Sequence, residues 1–176
     1  MASLFLDAIR NQGKNKKRIG ELNDWNVKTL NLGAIAETDL ENYSIVELGF
    51  NEAGERTCKL YTAGTPYLLC AVEDYVGDFE TISSFYVGKG ERVRVAKLEE
   101  GFRFAVTKCK LANEGKAVKE GQKVHFDKTE NTYVISNDGS EDHAGYAAAE
   151  VKLVVVKADA GTIDGQQKIR FEVVEA

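Results

Sequence analysis

The side chains of this chain with the widest reach in chemistry are Cys58, Cys70 and Cys109, His125 and His143, and the acidic pairs Glu73-Asp74 and Glu99-Glu100. A thiolate beside an imidazole can attack a carbonyl, clustered Cys and His ligands can hold zinc, and two carboxylates can divide acid and base work. The spacing favours none of these. The three thiols are widely separated with no C-x-x-C pair, and the two histidines lie 18 residues apart with no Cys or His beside either. Two thiols could meet across neighbouring strands, but buried, reduced thiols in a chain folded in the cytoplasm are the stronger reading. His143 follows Glu141-Asp142 and could act as a general base, although the same residues read as a solvated loop. Neighbouring acids on a strand point to opposite faces, so the acidic pairs read as surface charge. Gly88-Lys-Gly-Glu-Arg invites a phosphate-loop reading, yet it lacks the third glycine of G-x-G-x-x-G and the G-K-[ST] ending, and a strand pattern follows it. It is expected to be a tight turn. The sequence thus predicts no catalytic, cofactor or metal site, and a protein that is not an enzyme.

The elements that would carry these residues are short and extended. From Phe85 to Phe104 the pattern reads strand, turn, strand, turn, strand. Ala117–Ile135 places one turn before Lys123 and another at Glu130-Asn131, and the runs 150–157 and 167–175 are rich in β-branched residues. Upstream, Tyr43–Phe50 and Arg56–Tyr61 flank Asn51-Glu-Ala-Gly as a hairpin, with Ile45 and Val46 out of phase. Tyr67–Val72 is apolar on both faces, as a strand between two layers would be, and Pro66 stands just before it. The expected fold is mainly β, a small barrel or sandwich built from hairpins. An N-terminal arm of residues 1–33 precedes a β-rich domain of residues 34–176, with a division into two subdomains near residues 80–85. No long amphipathic helix is expected after residue 10.

Composition bounds the class. Hydrophobic residues make up 43% and charged residues 29% of 176 residues, ordinary for a chain that buries a core. No apolar run approaches the roughly 20 residues of a membrane span, so no membrane partner is expected. The net charge of −5 hides an asymmetry. Arg10, Lys14, Lys16, Lys17 and Arg18 against Asp7 give residues 1–20 a charge of +4, leaving −9 on the remaining 156. An acidic body starts from repulsion with nucleic acid, which disfavours that partner. Within the arm, Leu4, Phe5, Ala8 and Ile9 share one face of a short helix that needs a surface to be stable, and Asp24–Leu32 reads as an extended segment carrying Trp25. Leu4, Phe5, Ile9 and Trp25, with the cations Lys14, Lys16, Lys17 and Arg18, are the expected partner-binding residues. Deleting residues 1–20 is expected to abolish partner attachment and leave the β-domain folded.

The successions Val87–Thr107, Val118–Asp127 and Ile169–Glu175, a Gly-turned strand pair, a V-x-x-G-x-x-V hairpin and a terminal strand, resemble the head-decoration (cement) and capsid accessory proteins of tailed bacteriophages over residues 85–176. The resemblance implies a virion protein on the outer capsid surface, assembled in the host cytoplasm. It would bridge subunits of the major capsid protein, with sister copies as further neighbours. A tail-tube or connector component is the alternative, and a small hydrolase or ligand-binding barrel using the His143 loop is a third reading of a different kind.

Overall fold

The computed structural model describes residues 16–24, 28–72, 82–112, 117–136 and 145–176. Among these the strands are β1 (Gly20–Leu22), β2 (Thr29–Ala36), β3 (Ile45–Phe50), β4 (Arg56–Leu60), β5 (Tyr67–Leu69), β6 (Arg92–Lys97) and β7 (Arg103–Val106). They continue with β8 (Lys110–Leu111), β9 (Lys123–Asp127), β10 (Thr132–Ile135), β11 (Lys152–Lys157), β12 (Thr162–Ile163), β13 (Gln166–Gln167) and β14 (Ile169–Glu175). One 3-10 turn, Ile82–Ser84, is the sole helical element among the described residues. The helix expected over Leu4–Ile9 lies outside them.

Barrel and sheet both form. Strands β2-β4-β3-β5-β6 close into a barrel, and a seven-stranded sheet runs β1-β7-β14-β11-β9-β10-β8. The expected hairpin is β3–β4, in register from Val46 opposite Leu60 to Phe50 opposite Arg56. Its turn is tied by Asn51, whose side-chain oxygen accepts the Glu55 N–H at 2.9 Å, and by Gly54 at φ 78°, a conformation that glycine adopts without strain. The barrel closes only when β6 pairs antiparallel with both β5 and β2, with a bulge in β2 between Leu30 and Ala34. The chain thus begins in the sheet with β1, builds the barrel from β2 to β6, and returns to the sheet at β7. Two pairings, β2 with β4 and β10 with β8, are parallel, which a reading in successive hairpins does not anticipate.

One wall of the barrel belongs to two cores. The barrel interior is filled by Ala34, Ala36, Val46, Cys58, Leu69, Val93 and Val95. Its outer face and the sheet enclose a larger core that holds Ile45, Leu68 and Ala96 from the barrel, and Phe104, Tyr133, Leu153 and Phe171 from the sheet. Ile45 and Val46 are thus apolar in succession because consecutive strand residues face opposite sides and each side is buried. Leu68 and Leu69 repeat the logic on β5, as do Ala96 and Val95 on β6. In the sheet, Phe104, Tyr133 and Phe171 pack with ring centroids 5.6–6.0 Å apart, and the Tyr133 hydroxyl donates to the Tyr43 carbonyl across the seam at 2.8 Å.

Several expected strands are shorter than their patterns. Tyr43 has φ 57° and turns the chain into β3 rather than belonging to it. Phe85–Val87 forms no strand beyond a single bridge between Val87 and Leu40. Of the span assigned to the arm, residues 20–22 are β1 and residues 29–33 belong to β2. Pairing with β7 on one side and a barrel neighbour on the other satisfies backbone groups that an undocked arm would leave to water.

Candidate functional site

The segment Lys16–Leu22 crosses the line where barrel and sheet meet. Lys17 donates its backbone N–H to Ser83 O at 2.6 Å, and the Lys16 ammonium lies 3.6 Å from the Asp164 carboxylate. Asp164 also accepts the Ser83 hydroxyl, so the strap, the 3-10 turn and the β12–β13 hairpin meet at one carboxylate. The Lys17 ammonium stands 5.9 Å from the centre of the half-exposed Tyr86 ring. Ile19 is fully buried and exchanges hydrogen bonds with Thr107, its N–H to the hydroxyl at 3.0 Å and its carbonyl to the Thr107 N–H at 2.8 Å. Gly20 follows where there is no room for a side chain. A Cβ there would stand 2.6 Å from the Tyr43 ring and 2.7 Å from Ala105 O.

Arg18 is the pin of this strap. Only 2% exposed, its guanidinium donates to Tyr43 O at 3.1 Å and Ser44 Oγ at 3.2 Å on the barrel side, and to Asn131 O at 2.5 Å on the sheet side. It also lies over the Tyr133 ring, 5.1 Å from the centroid. Glu41 supplies the countercharge at 3.7 Å and accepts the Arg18 backbone N–H at 2.6 Å. Burial would raise the Glu41 carboxyl, but the Arg18 guanidinium and the Lys108 ammonium hold it below the usual range. Of the expected partner-binding residues, Arg18 is therefore committed inside the protein, Lys16 and Lys17 line its surface seam, and Leu4, Phe5, Ile9, Lys14 and Trp25 lie outside the described residues.

Among the described residues, the other side chains singled out by type take part in packing, turns and ion pairs. All three cysteines are free thiols, with Cys58 and Cys70 buried and Cys109 half-buried. Burial, then the nearby Glu37 carboxylate, push the Cys58 thiol up to about 11, where it is a poor nucleophile at neutral pH. Glu91 turns back on the loop Gly88–Arg92, its carboxylate accepting the Gly88 N–H at 3.0 Å. Glu99 is bracketed by Lys28 at 2.9 Å and Lys97 at 3.2 Å. His125 is buried on β9, its ring edge-on to Tyr146 at 6.4 Å. Glu73, Asp74 and His143 lie outside the described residues.

One feature that no motif flagged is a cleft of about 220 Å3 between the end of β4 and the sheet. Phe126 and Val151 contribute apolar lining, and Gly145, Ala148 and Ala149, also in the lining, carry little or no side chain. At the mouth the Tyr61 hydroxyl stands 2.5 Å from Glu150 Oε2 and 3.1 Å from Gly64 O. Lys128 donates to Thr62 O at 2.7 Å and faces Glu150 Oε1 at 3.4 Å. Burial, then the hydrogen bond to Glu150, push the Tyr61 phenol up, while the Tyr61 hydroxyl and the Lys128 ammonium hold the Glu150 carboxyl down. The cleft therefore presents a phenol, a carboxylate and an ammonium together, with no net charge from the last two.

Comparisons with known proteins fit this mainly β chain into a lineage. Over its full length it is 35% identical to "SPbeta prophage-derived uncharacterized protein YonC" of Bacillus subtilis (strain 168), with all of both chains covered. Among solved structures it is similar to the head fiber gp8.5 N base in bacteriophage phi29, at 14% identity and a TM-score of 0.36, covering 90% of this chain and 98% of that one. That likeness is too distant to transfer any site. Residues 13–174 match the YonC prophage protein family, and the chain belongs to that family.

Proposed function

We propose that the protein is a non-enzymatic structural component of a phage particle that sits on the outer surface of the capsid lattice and bridges major capsid subunits. The observation that carries this reading is membership of a prophage protein family across nearly the whole chain. The surface is consistent with docking through side chains. The barrel has no open edge, and the sheet ends in the short strands β1 and β8, which offer little backbone for strand addition. Exposed apolar anchors remain: Phe50, 66% exposed at the β3–β4 hairpin under the Arg56 guanidinium, and Tyr86 beside the strap that leads to residues 1–15. On a lattice, many copies with modest individual contacts hold by multivalency.

The test is co-sedimentation of purified protein with intact heads and with isolated tails. Binding to heads supports decoration, and binding to tails, or rings and tubes on purification, supports the tail-tube or connector reading. Removing residues 1–15 is expected to abolish attachment and leave the body folded; unchanged binding of that truncation would overturn the role given to the arm. The cut at residue 20 expected from sequence is a different experiment, because it also removes Arg18 and the buried Ile19.

A further inference from the structure

We propose that the cleft beside Tyr61 binds one uncharged sugar ring. Four observations lead there, and none depends on where the protein sits in a particle. The cleft's volume of about 220 Å3 far exceeds the roughly 10–15 Å3 that a single water needs, so it is a ring-sized space and not a packing defect. Three of its lining positions, Gly145, Ala148 and Ala149, are minimal in size, while Phe126 and Val151 in the same lining are apolar. A pyranose has both kinds of surface, hydroxyls around its rim and C–H groups on its faces.

The mouth groups match that rim. Glu150 accepts hydrogen bonds, Lys128 donates them, and the Tyr61 phenol, kept protonated, does either, so neighbouring hydroxyls find an acceptor and a donor side by side. The same pair discriminates by charge. An anionic ligand meets the Glu150 carboxylate and a cationic one meets the Lys128 ammonium, each next to a like charge, whereas a neutral polyol meets neither repulsion. Asp127 also lines the cleft; its carboxylate caps the following turn by accepting the Thr129 and Glu130 N–H groups at 2.8 and 3.2 Å, and its charge adds to the penalty on an anion.

The experiment is a titration of isotopically labelled full-length protein, followed by amide chemical shifts, with glucose and N-acetylglucosamine. Glucose 6-phosphate and glucosamine serve as charged comparators. A neutral sugar is expected to shift the amides of residues 61–64, 126–128 and 148–151 saturably in the millimolar range, and the comparators to bind more weakly. Ala149→Leu, at a partly exposed position, fills the cleft and is expected to abolish the saturable shifts while the rest of the spectrum is retained. Glu150→Gln removes the charged acceptor and is expected to weaken binding about tenfold. The proposal is overturned if neither neutral sugar gives saturable shifts at these amides, if Ala149→Leu binds as the parent does, or if a charged comparator binds as tightly.

Discussion

Arg18 ties barrel to sheet through a single buried side chain. Its guanidinium joins two barrel groups, Tyr43 O and Ser44 Oγ, to a sheet group, Asn131 O, inside a site closed to water. Removing one member of such a buried set strands the others, at a typical cost of about 3 kcal/mol. Arg18→Ala is therefore expected to lower the urea midpoint by that equivalent, and Arg18→Lys to recover only part of it, since an ammonium cannot span three acceptors. A midpoint unchanged by Arg18→Ala would show that the strap contributes nothing to the seam. Gly20→Ala is a second residue-scale case: the added Cβ meets Ala105 O, a backbone atom that cannot swing away, and about 2 kcal/mol of overpacking is expected in the same assay. The Cys58 thiol, at about 11, is only about one part in a thousand thiolate at pH 8, so thiol labelling of native protein should leave Cys58 intact until unfolding.

At the scale of elements, the β3–β4 hairpin is anchored at both ends. Its distal turn is held by Asn51 and Gly54. At the proximal end Glu47 accepts hydrogen bonds from Thr62 N, Thr62 Oγ1 and Ala63 N at 2.7–2.9 Å and pairs with Lys59 at 3.1 Å. Burial opposes the charge on Glu47, but these donors prevail and lower its carboxyl from 4.5 to about 2. A lowered carboxyl stabilises the fold above its unfolded value and stops doing so as pH falls through the folded one. Glu47→Gln should accordingly be less stable than the parent at pH 7, with the gap narrowing from about pH 4.5 towards pH 2 in parallel thermal melts. A gap that persists at pH 2 would mean that the carboxylate is not the stabilising form. Phe50, largely exposed at the other end, should behave oppositely: Phe50→Ala is expected to change stability by no more than about 0.5 kcal/mol, so any loss of head binding reports on contact rather than folding.

Across the whole molecule, barrel and sheet are mechanically one body, because the larger core draws on both. Unfolding the sheet would expose Ile45, Leu68 and Ala96 on the barrel, and unfolding the barrel would strip Phe104 and Tyr133 of cover. Amide signals from β3 and from β11 are therefore expected to vanish together in a thermal series. Separate transitions for the two would refute a shared core.

The sequence by itself determined the β class, the turn positions at Asn51, Gly88, Gly121 and Asn131, and the two hairpins closed at Asn51 and Asn131, since turn chemistry and two-residue alternation act over a few residues. It also carried the double-sided apolar runs at Ile45-Val46 and Leu68-Leu69, which announce a strand between two layers without saying which layers. Only the tertiary structure decided that β6 returns to β2 to close a barrel, that β2 and β4 run parallel, and that Arg18, read as a surface cation, is an interior pin. Those outcomes depend on partners 22 to 113 residues away in the chain, a separation that local pattern does not encode. The cleft was invisible for the same reason: Tyr61, Lys128 and Glu150 form no motif in sequence, and become a site only where the end of a barrel strand meets the sheet.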